Sequence, residues 1–511
     1  MKKHSKKILA VFAIVLALAC VLTACAPAAA SSGNTGSKAS EAPASSKADK
    51  KPITLKYINY GAKPDTGNCD GIWKAVNDIL LKDLNCTMDV EYIGAGDVAQ
   101  ITLKYAGNEE FDFAYAADWW GFTDIAQSNG FYELKMDELK QYAPYMVENL
   151  PEIAWKQGSV GGKMYMLPDL FFGYHEYLIA YRGDLREKYG MDKLKTMADL
   201  EKYAEQVKQN EPGMEILNMV TREFWLEYPN NLNSGTWTYQ YTDPAKAEMV
   251  LDVMQDDYVT YAKKMREYYE KGYNSPDLIN DKTNAEEKFK GGSLAALTRN
   301  NTTINKLALQ INKDHPEWKI EIFNPYEGHK VLQVPFIHDA FTITRTSKHP
   351  TKVMEVVNHI FESAELQKLL NFGVEGVDYE MKDGKLYTIA DVPADKKMNL
   401  GCNWNMVNHL VQNQFVVADM YEGYQEILNG FEKNTVYHPL QAFVFDKSEV
   451  ETEVTNMGAV SKEYKALTYG MIADVDAGVA EYRAALKSAG YDKVKAEYDR
   501  QVKEFMATYN K

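Results

Sequence analysis

Strands and helices alternate in the first part of the chain that has an ordinary globular composition. Residues 53–60 (ITLKYINY) alternate in polarity and are rich in β-branched and aromatic side chains, which favours a strand. A loop and a helix with one apolar face follow, then a second strand at residues 87–93, another helix and a third strand at residues 111–116. This order predicts a doubly wound α/β sheet, in which ligands bind beyond the carboxyl ends of the strands.

A second α/β set is expected further along, because about 460 globular residues exceed what one core holds. Gly161-Gly162 predicts a tight hairpin turn, and an aromatic run then leads to a strand at residues 177–182. Another strand is expected at residues 293–298. A strand at residues 336–344 would return the chain to the first sheet, and from Val407 onward the pattern is almost wholly helical.

The amino-terminal segment predicts export. Residues 1–24 combine four lysines with an apolar run too short to span a bilayer, which is typical of a signal peptide. Leu22-Thr23-Ala24-Cys25 resembles a bacterial lipobox, which implies cleavage before Cys25 and diacylation of its thiol. Residues 25–51 lack aromatic and branched aliphatic side chains, so they predict a flexible tether between the membrane and a folded domain outside it.

Charge and cysteine content exclude several functional classes. The formal charge of −15 becomes −19 once the four lysines of residues 1–24 are removed, and such an acidic surface argues against nucleic acid as a partner. Beyond the signal and anchor, only Cys69, Cys86 and Cys402 remain, which is no disulfide framework. A Cys69–Cys86 bridge stays open. No Cys-His spacing indicates zinc, and no metal or cofactor is expected.

Several segments resemble the extracellular solute-binding proteins (family 1) of bacterial ABC importers. Residues 160–168 (VGGKMYMLP) are similar to that family's crossing segment, and Ser347-Lys348-His349-Pro350 to the start of one of its helices. Residues 372–379, 443–448 and 486–494 resemble the lipoprotein subgroup related to LplA and YtcQ, with its C-terminal domain. The matches are individually weak, but they occur in order along nearly the whole chain.

The resemblance implies an α/β fold of the type II, periplasmic-binding-protein-like kind, with two lobes joined by hinge strands and a helical C-terminal extension. The implied lobes are residues 52–172 plus 336–400 and residues 173–335 plus 401–511. It also implies a non-enzymatic, lipid-anchored receptor on the outer face of a bacterium, Gram-positive in type. Such a receptor, expected to be a monomer, would capture a sugar or oligosaccharide and pass it to ABC permease subunits.

A sugar site needs flat aromatic rings beside fixed hydrogen-bonding groups. Asp118-Trp119-Trp120 follows the third predicted strand and is the best such constellation. Each of these residues also has a structural interpretation, as core packing, a surface ion pair or a turn. The further candidates are Asp65, Tyr174, Trp237, Arg299 (placed just after the 293–298 strand), Asn403 and Trp404.

Other functional classes fit the sequence less well. Residues 158–164 are one residue too short for a phosphate loop and carry Met164 where Ser or Thr must reach Mg²⁺. The main rival is a surface glycoside hydrolase using two carboxylates drawn from Asp118, Asp169 and Glu176. A receptor for peptide or another polar nutrient, and an adhesin or signalling receptor without a transporter, also remain open.

Overall fold

The computed structural model describes residues 51–509 apart from 95–97, 175, 219–236, 241–242, 244, 282–283, 390, 413–415 and 418–419. Met1–Lys50 form a separate unit from Lys51–Lys511. The predicted signal peptide and Cys25 lie outside the described residues, as does almost all of the predicted tether. Within the described part of the chain, no helix is both long and apolar enough to cross a membrane.

Seventeen strands lie in the described part of the chain, many of them short. Their bounds, in chain order, are β1 Ile53–Tyr60, β2 Cys86–Ile93, β3 Phe113–Ala116, β4 Ser159–Val160, β5 Lys163–Met164, β6 Met166–Pro168, β7 Tyr177–Tyr181, β8 Trp237–Thr238, β9 Val250–Leu251, β10 Ala296–Asn300, β11 Glu321–Phe323, β12 Val331–Leu332, β13 Ala340–Ile343, β14 Tyr379–Lys382, β15 Lys385–Thr388, β16 Val416–Val417 and β17 Thr435–Val436.

Nineteen α-helices connect or cover these strands in the described part. They are α1 Cys69–Leu84, α2 Val98–Ala106, α3 Phe122–Gln127, α4 Met136–Tyr142, α5 Pro144–Asn149, α6 Glu152–Gln157, α7 Gly183–Lys188, α8 Met197–Asn210, α9 Tyr258–Glu270, α10 Ala285–Lys290, α11 Asn301–Asp314, α12 Pro350–Glu362, α13 Ala364–Phe372, α14 His409–Gln412, α15 Tyr424–Lys433, α16 Glu451–Glu463, α17 Lys465–Thr468, α18 Val475–Ser488 and α19 Tyr491–Tyr509.

The first sheet has five strands in the order β2-β1-β3-β13-β6. β1 is parallel to β2 and β3, whereas β13 is antiparallel to both β3 and β6. In that register Ala340 pairs with both Ala116 and Pro168. The carboxyl ends of β1, β3 and β6 and the amino end of β13 therefore share one edge of the sheet.

Helices cover this sheet with their apolar faces. In α1, Ile72, Val76 and Leu80 recur at helical spacing and are buried, and the helix ends at Asn85 in the left-handed conformation. α12 begins with proline, which fits the first helical position, where no backbone N–H is needed. The resulting hydrophobic cluster includes residues from Leu55 to Leu170 and from Phe336 to Met406. We call the elements around it the first lobe.

A second sheet, in the order β10-β7-β11, is fully antiparallel. Two further hydrophobic clusters surround it and extend through the C-terminal helices as far as Val502. The start of α8 is capped, because the Thr196 side chain accepts a hydrogen bond from the backbone N–H of Asp199. We call the elements around these two clusters the second lobe, and residues 439–509 within it the C-terminal helical region.

Three chain segments run side by side between the lobes. The N–H of Asp169 donates to the carbonyl of Phe336 at 2.9 Å, and that of Val334 donates to Gly173 at 3.0 Å. The third segment joins them where the N–H of His409 donates to the carbonyl of Leu170 at 3.0 Å. The lobes are therefore linked by a narrow, hydrogen-bonded ribbon.

Most predicted elements are present, with shifted ends. The Gly161-Gly162 turn is confirmed, with positive φ at both glycines between β4 and β5. The strand predicted over residues 293–298 lies instead at Ala296–Asn300, so Arg299 is inside the strand rather than after it. The strand predicted over residues 336–344 is shorter, because its first residues form the ribbon.

The structure also bears on the cysteines and on the boundary between the lobes. The three described cysteines are free and buried, so the Cys69–Cys86 bridge that the sequence left open is not formed. Cys402 and Met406 lie in the hydrophobic cluster of the first lobe. The segment that contains Asn403 and Trp404 thus stays with the first lobe, and the boundary placed between residues 400 and 401 remains a prediction.

Candidate binding site

Three carboxylates emerge together at the shared edge of the first sheet. Asp118 lies two residues beyond the end of β3, Asp169 directly follows β6, and Asp339 directly precedes β13. The backbone N–H of Asp118 donates to the carbonyl of Ile337 at 3.0 Å, which fixes the end of β3 to the ribbon. The edge predicted to bind ligand is therefore acidic and adjoins the connection between the lobes.

Five aromatic side chains gather beside these acids, and we call them the aromatic group: Tyr60, Tyr115, Trp119, Trp120 and Trp404. The Tyr60 ring is central, with centroids 5.5 Å from Trp119, 5.1 Å from Trp120 and 5.7 Å from Trp404. Trp119 and Trp120 meet Tyr60 edge-on, at 88°. Trp404 is 48% exposed, so an indole at the border of the group is open to solvent.

Hydrogen bonds hold the group in place. The indole N–H of Trp119 donates to the carbonyl of His338 at 2.8 Å, and the Tyr115 hydroxyl donates to Asp339. Trp120 is 3% exposed, and its indole nitrogen has no hydrogen-bond partner among the described residues. The aromatic group is thus a rigid, partly polar platform rather than a loose surface patch.

Burial perturbs the titration of the acids. It raises the pKa of Asp169 well above its usual value, and the negative charge of Asp339 adds to this effect. Burial also raises the pKa values of Asp118 and Asp339, against the opposing effect of His338. Burial alone would lower the pKa of His338, but Asp118 and Asp339 together raise it. Burial therefore favours the protonated forms of these carboxyl groups relative to exposed ones.

Of the binding residues that the sequence predicts, four lie together and the others lie elsewhere. Asp118, Trp119, Trp120 and Trp404 come together at the acidic edge. Asp65 is exposed in the loop between β1 and α1. That loop contacts the segment before Trp404, since the N–H of Asn68 donates to the carbonyl of Lys397 at 2.8 Å.

Asn403 has a structural contact, because its side-chain amide donates to the carbonyl of Leu370 at 2.7 Å. Tyr174 lies in the ribbon, and its hydroxyl is 2.7 Å from that of Thr435. Arg299 donates to the Glu286 carboxylate at 3.0 Å, the ion pair that was its alternative interpretation. A role for these three in ligand binding remains a prediction.

Trp237 stacks on Tyr498 of α19, with ring centroids 4.2 Å apart. It nevertheless shares a cavity of about 450 Å³ with Asp118. The structure thus brings one predicted residue of the second lobe close to the acidic edge.

Sequence reasoning missed Tyr60, Tyr115, Asp339 and His338. Tyr60 could have been predicted as a site residue, because it is the last residue of a strand that the sequence predicts correctly. Asp339 and His338 could not have been predicted in this way. They precede β13, and the amino end of β13 reaches this edge only because β13 pairs antiparallel with β3.

Comparison with known proteins gives one match to a family model and several relatives of similar length. Residues 439–507 match a domain of unknown function (DUF3502). A carbohydrate ABC transporter substrate-binding protein of Streptococcus pneumoniae serotype 4 is 23% identical over 99% of both chains. The chain is therefore similar, over nearly its whole length, to a substrate-binding protein of an ABC transporter.

Solved structures of similar proteins agree on the fold of this chain. The N-glycan transport solute binding protein (NgtS) of Streptococcus pneumoniae superposes with a TM-score of 0.74 at 20% identity, over 89% of this chain and 99% of that one. An HMO-binding solute binding protein of Bifidobacterium longum infantis gives a TM-score of 0.62 at 12% identity, over 89% and 99%. The two-lobed α/β fold with a helical C-terminal region is therefore confirmed.

Proposed function

We propose that this protein is a solute-binding protein that captures an oligosaccharide on the aromatic group and delivers it to the permease of an ABC importer. The observation that carries the proposal is the exposed Trp404 indole, continuous with Tyr60 and Trp119 and bordered by buried carboxyl groups. The carbohydrate transporter protein from Streptococcus pneumoniae, similar over its full length, supports the same substrate class.

The chemistry of the platform suits a sugar. Pyranose and furanose rings have apolar C–H faces, which stack on indole and phenol rings, and hydroxyl groups, which need partners at the ring edge. Asp118 and His338 supply such partners beside Trp119. Leaving a buried hydroxyl or carboxylate unpaired costs about 1–3 kcal/mol, so this edge selects a guest with matching hydroxyl groups.

Capture would proceed by closure of the lobes about the ribbon. A ligand that contacts both lobes stabilises the closed form by its additional contacts there, and the permease then recognises that form. For this movement we propose the predicted division into residues 52–172 plus 336–400 and residues 173–335 plus 401–511, except that residues 401–406 move with the first lobe, whose core includes Cys402 and Met406. The ribbon near Asp169, Val334 and His409 would act as the hinge.

The remaining elements of the proposal concern location. We propose that residues 1–24 are removed, that Cys25 is diacylated, and that residues 25–51 tether a monomer to the outer face of the membrane. Globomycin treatment of the native host, which blocks lipoprotein signal cleavage, should then retain the unprocessed precursor. A Cys25→Ala variant should be released into the medium.

Titration calorimetry with purified residues 51–511 tests the binding proposal. The ligands are the manno-, malto-, chito- and fructo-oligosaccharide series, together with a mixed tripeptide pool. We expect one sugar series to bind, and Trp404→Ala to weaken it at least about tenfold. Leu103→Ala is the matched control, since this leucine is 69% exposed on α2. Both variants should keep the wild-type melting temperature.

The other functional classes are outcomes of the same experiment. Binding of the peptide pool without any sugar would favour a peptide receptor. Release of shortened sugars, followed by chromatography, would favour a hydrolase that uses Asp118 and Asp169. Sugar binding that is equal in Trp404→Ala and wild type would remove the aromatic group from the site.

A further inference from the structure

A cavity of about 450 Å³ lies between the first lobe and the C-terminal helical region. One wall comes from the end of β3, α3, α6 and the ribbon at Ile337. The other comes from Trp237 of β8, from Tyr239 and Met249, from several residues between 440 and 454, and from Tyr498. Its volume falls within the range of about 300–1,000 Å³ that is common for small-molecule sites. The cavity is therefore large enough for part of a ligand.

Asp118 lines the cavity with a carboxyl group that the surrounding protein leaves unsatisfied. Its side chain is 9% exposed, and neither carboxyl oxygen has a hydrogen-bond partner among the described residues. The His338 ring lies 3.4 Å from one oxygen and forms an ion pair with it when protonated. Buried polar atoms normally have hydrogen-bond partners, so this carboxyl group indicates a guest that supplies donors.

The opposite wall is aromatic and rigid. Tyr498 is covered on its faces by Phe445, with centroids 3.6 Å apart, and by Trp237, at 4.2 Å. Phe443 packs against the same tyrosine. Because these rings are fixed against one another, the wall is already formed before a guest arrives, which reduces the entropy lost on binding.

The two walls are joined at their exposed border by one ion pair. Lys447 Nζ lies 2.9 Å from a carboxylate oxygen of Asp124, and both residues line the cavity. When Asp118 is ionised, these three side chains together carry one net negative charge. A neutral guest with hydroxyl or amide N–H groups fits this balance, whereas an anionic sugar would meet repulsion.

We infer that the C-terminal helical region forms a second part of the binding site, where the terminal unit of a neutral oligosaccharide enters the cavity. The inner units would lie on the aromatic group, whose Trp119 directly follows Asp118 of the cavity wall in the chain. This inference rests on the proposed function. It gives the region that matches a domain of unknown function a direct role in choosing ligand length.

Filling the cavity from each wall tests this role. Thr123→Trp adds a bulky ring from α3, and Val444→Trp adds one from the C-terminal helical region; both residues line the cavity and are partly exposed. The controls are Ser128→Trp and Glu449→Trp, at exposed positions close by in sequence. Affinity is measured by titration calorimetry on residues 51–511 with the sugar series that binds wild type, from two to six units.

We expect the filling variants to lose at least about tenfold in affinity for the longer sugars, and to bind the shortest one as wild type does. The controls should bind every length normally. Equal affinity of all variants at every length, or equal losses at every length, would overturn the inference and leave the proposed function intact. If the wild-type protein binds none of the sugar series, the inference and the proposed function both fail. Melting temperatures identify a variant that is misfolded, and the other filling variant then decides the result.

Discussion

Trp119 and His338 are joined by a hydrogen bond of 2.8 Å from the indole nitrogen to the backbone carbonyl. Trp119 belongs to the aromatic group, and His338 belongs to the ribbon that connects the lobes. The orientation of one platform ring is therefore fixed by the segment that would bend in the proposed closure of the lobes. We expect a ligand stacked on Trp119 to act on the ribbon through this contact.

Removing this bond without removing the ring should separate orientation from stacking. Trp119→Phe keeps an aromatic face but leaves the His338 carbonyl without its donor, which costs about 1–3 kcal/mol if that oxygen stays buried. We expect a lower melting temperature and sugar affinity reduced several-fold. Phe172→Leu, which changes another partly buried aromatic ring in the ribbon, is the control. Unchanged stability and affinity in Trp119→Phe would show that the bond does not fix the platform.

Glu176 provides a pH-dependent effect on stability. Burial raises the pKa of its carboxyl group from 4.5 to about 8, and Oε2 has no hydrogen-bond partner among the described residues. Between these values the folded chain keeps a proton that the unfolded chain has lost. The free energy of unfolding should therefore fall as pH rises from about 4.5 to 8.

Urea titrations at several pH values measure this effect. Glu176→Gln should flatten the pH dependence and stabilise the protein relative to wild type at pH 8, because glutamine carries no charge to bury. Glu365→Gln, an exposed position on α13, should keep the wild-type profile. Identical pH profiles for wild type and Glu176→Gln would contradict the assigned burial.

Gln367 secures the third ribbon segment to α13. It is fully buried, and its amide donates to the carbonyls of Ile360 at 2.8 Å and Met406 at 3.0 Å. Its side-chain oxygen accepts from the backbone N–H of Asn408 at 3.0 Å. Leucine has a similar size but none of these groups.

We expect Gln367→Leu to lower the free energy of unfolding by about 1–3 kcal/mol for each backbone group that it leaves buried and unpaired. Gln209→Leu on the exposed surface of α8 should change it by less than about 0.5 kcal/mol. Chemical denaturation measures both. Equal stability of the two variants would mean that water or another side chain replaces the lost bonds.

The sequence predicts local elements well where one physical signal dominates. β1 is found at its predicted bounds, because alternation and β-branched residues coincide over eight positions. The Asp383-Gly384 pair, a typical hairpin sequence, forms the turn between β14 and β15, with positive φ at both residues. The apolar face of α12 is buried as its spacing predicts.

The site is only partly predictable, because it depends on pairings between distant segments. Trp119 could be placed at an edge from the strand before it. The contact between Tyr60 and Trp404 joins residues more than three hundred positions apart, and no local pattern contains it. Arg299 shows that a small local error also matters. Its strand ends two residues later than predicted, so Arg299 lies inside β10, beside Glu286, and not after the strand.

The ion pair between Lys447 and Asp124 allows a charge-exchange experiment. An exposed pair contributes at most about 1 kcal/mol to stability, so neither Lys447→Asp nor Asp124→Lys should prevent folding. Each single variant places like charges across the border of the cavity, and should weaken binding of the longer sugars several-fold. Exchanging both residues restores the attraction and should restore the affinity.

The salt dependence of sugar affinity provides a second test with the same Lys447 and Asp124 variants. Raising the ionic strength from about 0.01 M to 1 M shortens the Debye length from about 30 Å to 3 Å, which screens exposed charges. The defect of each single variant should therefore shrink at high salt, while the exchanged protein stays close to wild type throughout. A double variant that binds as poorly as the single ones would show that these two residues act separately and do not join the walls.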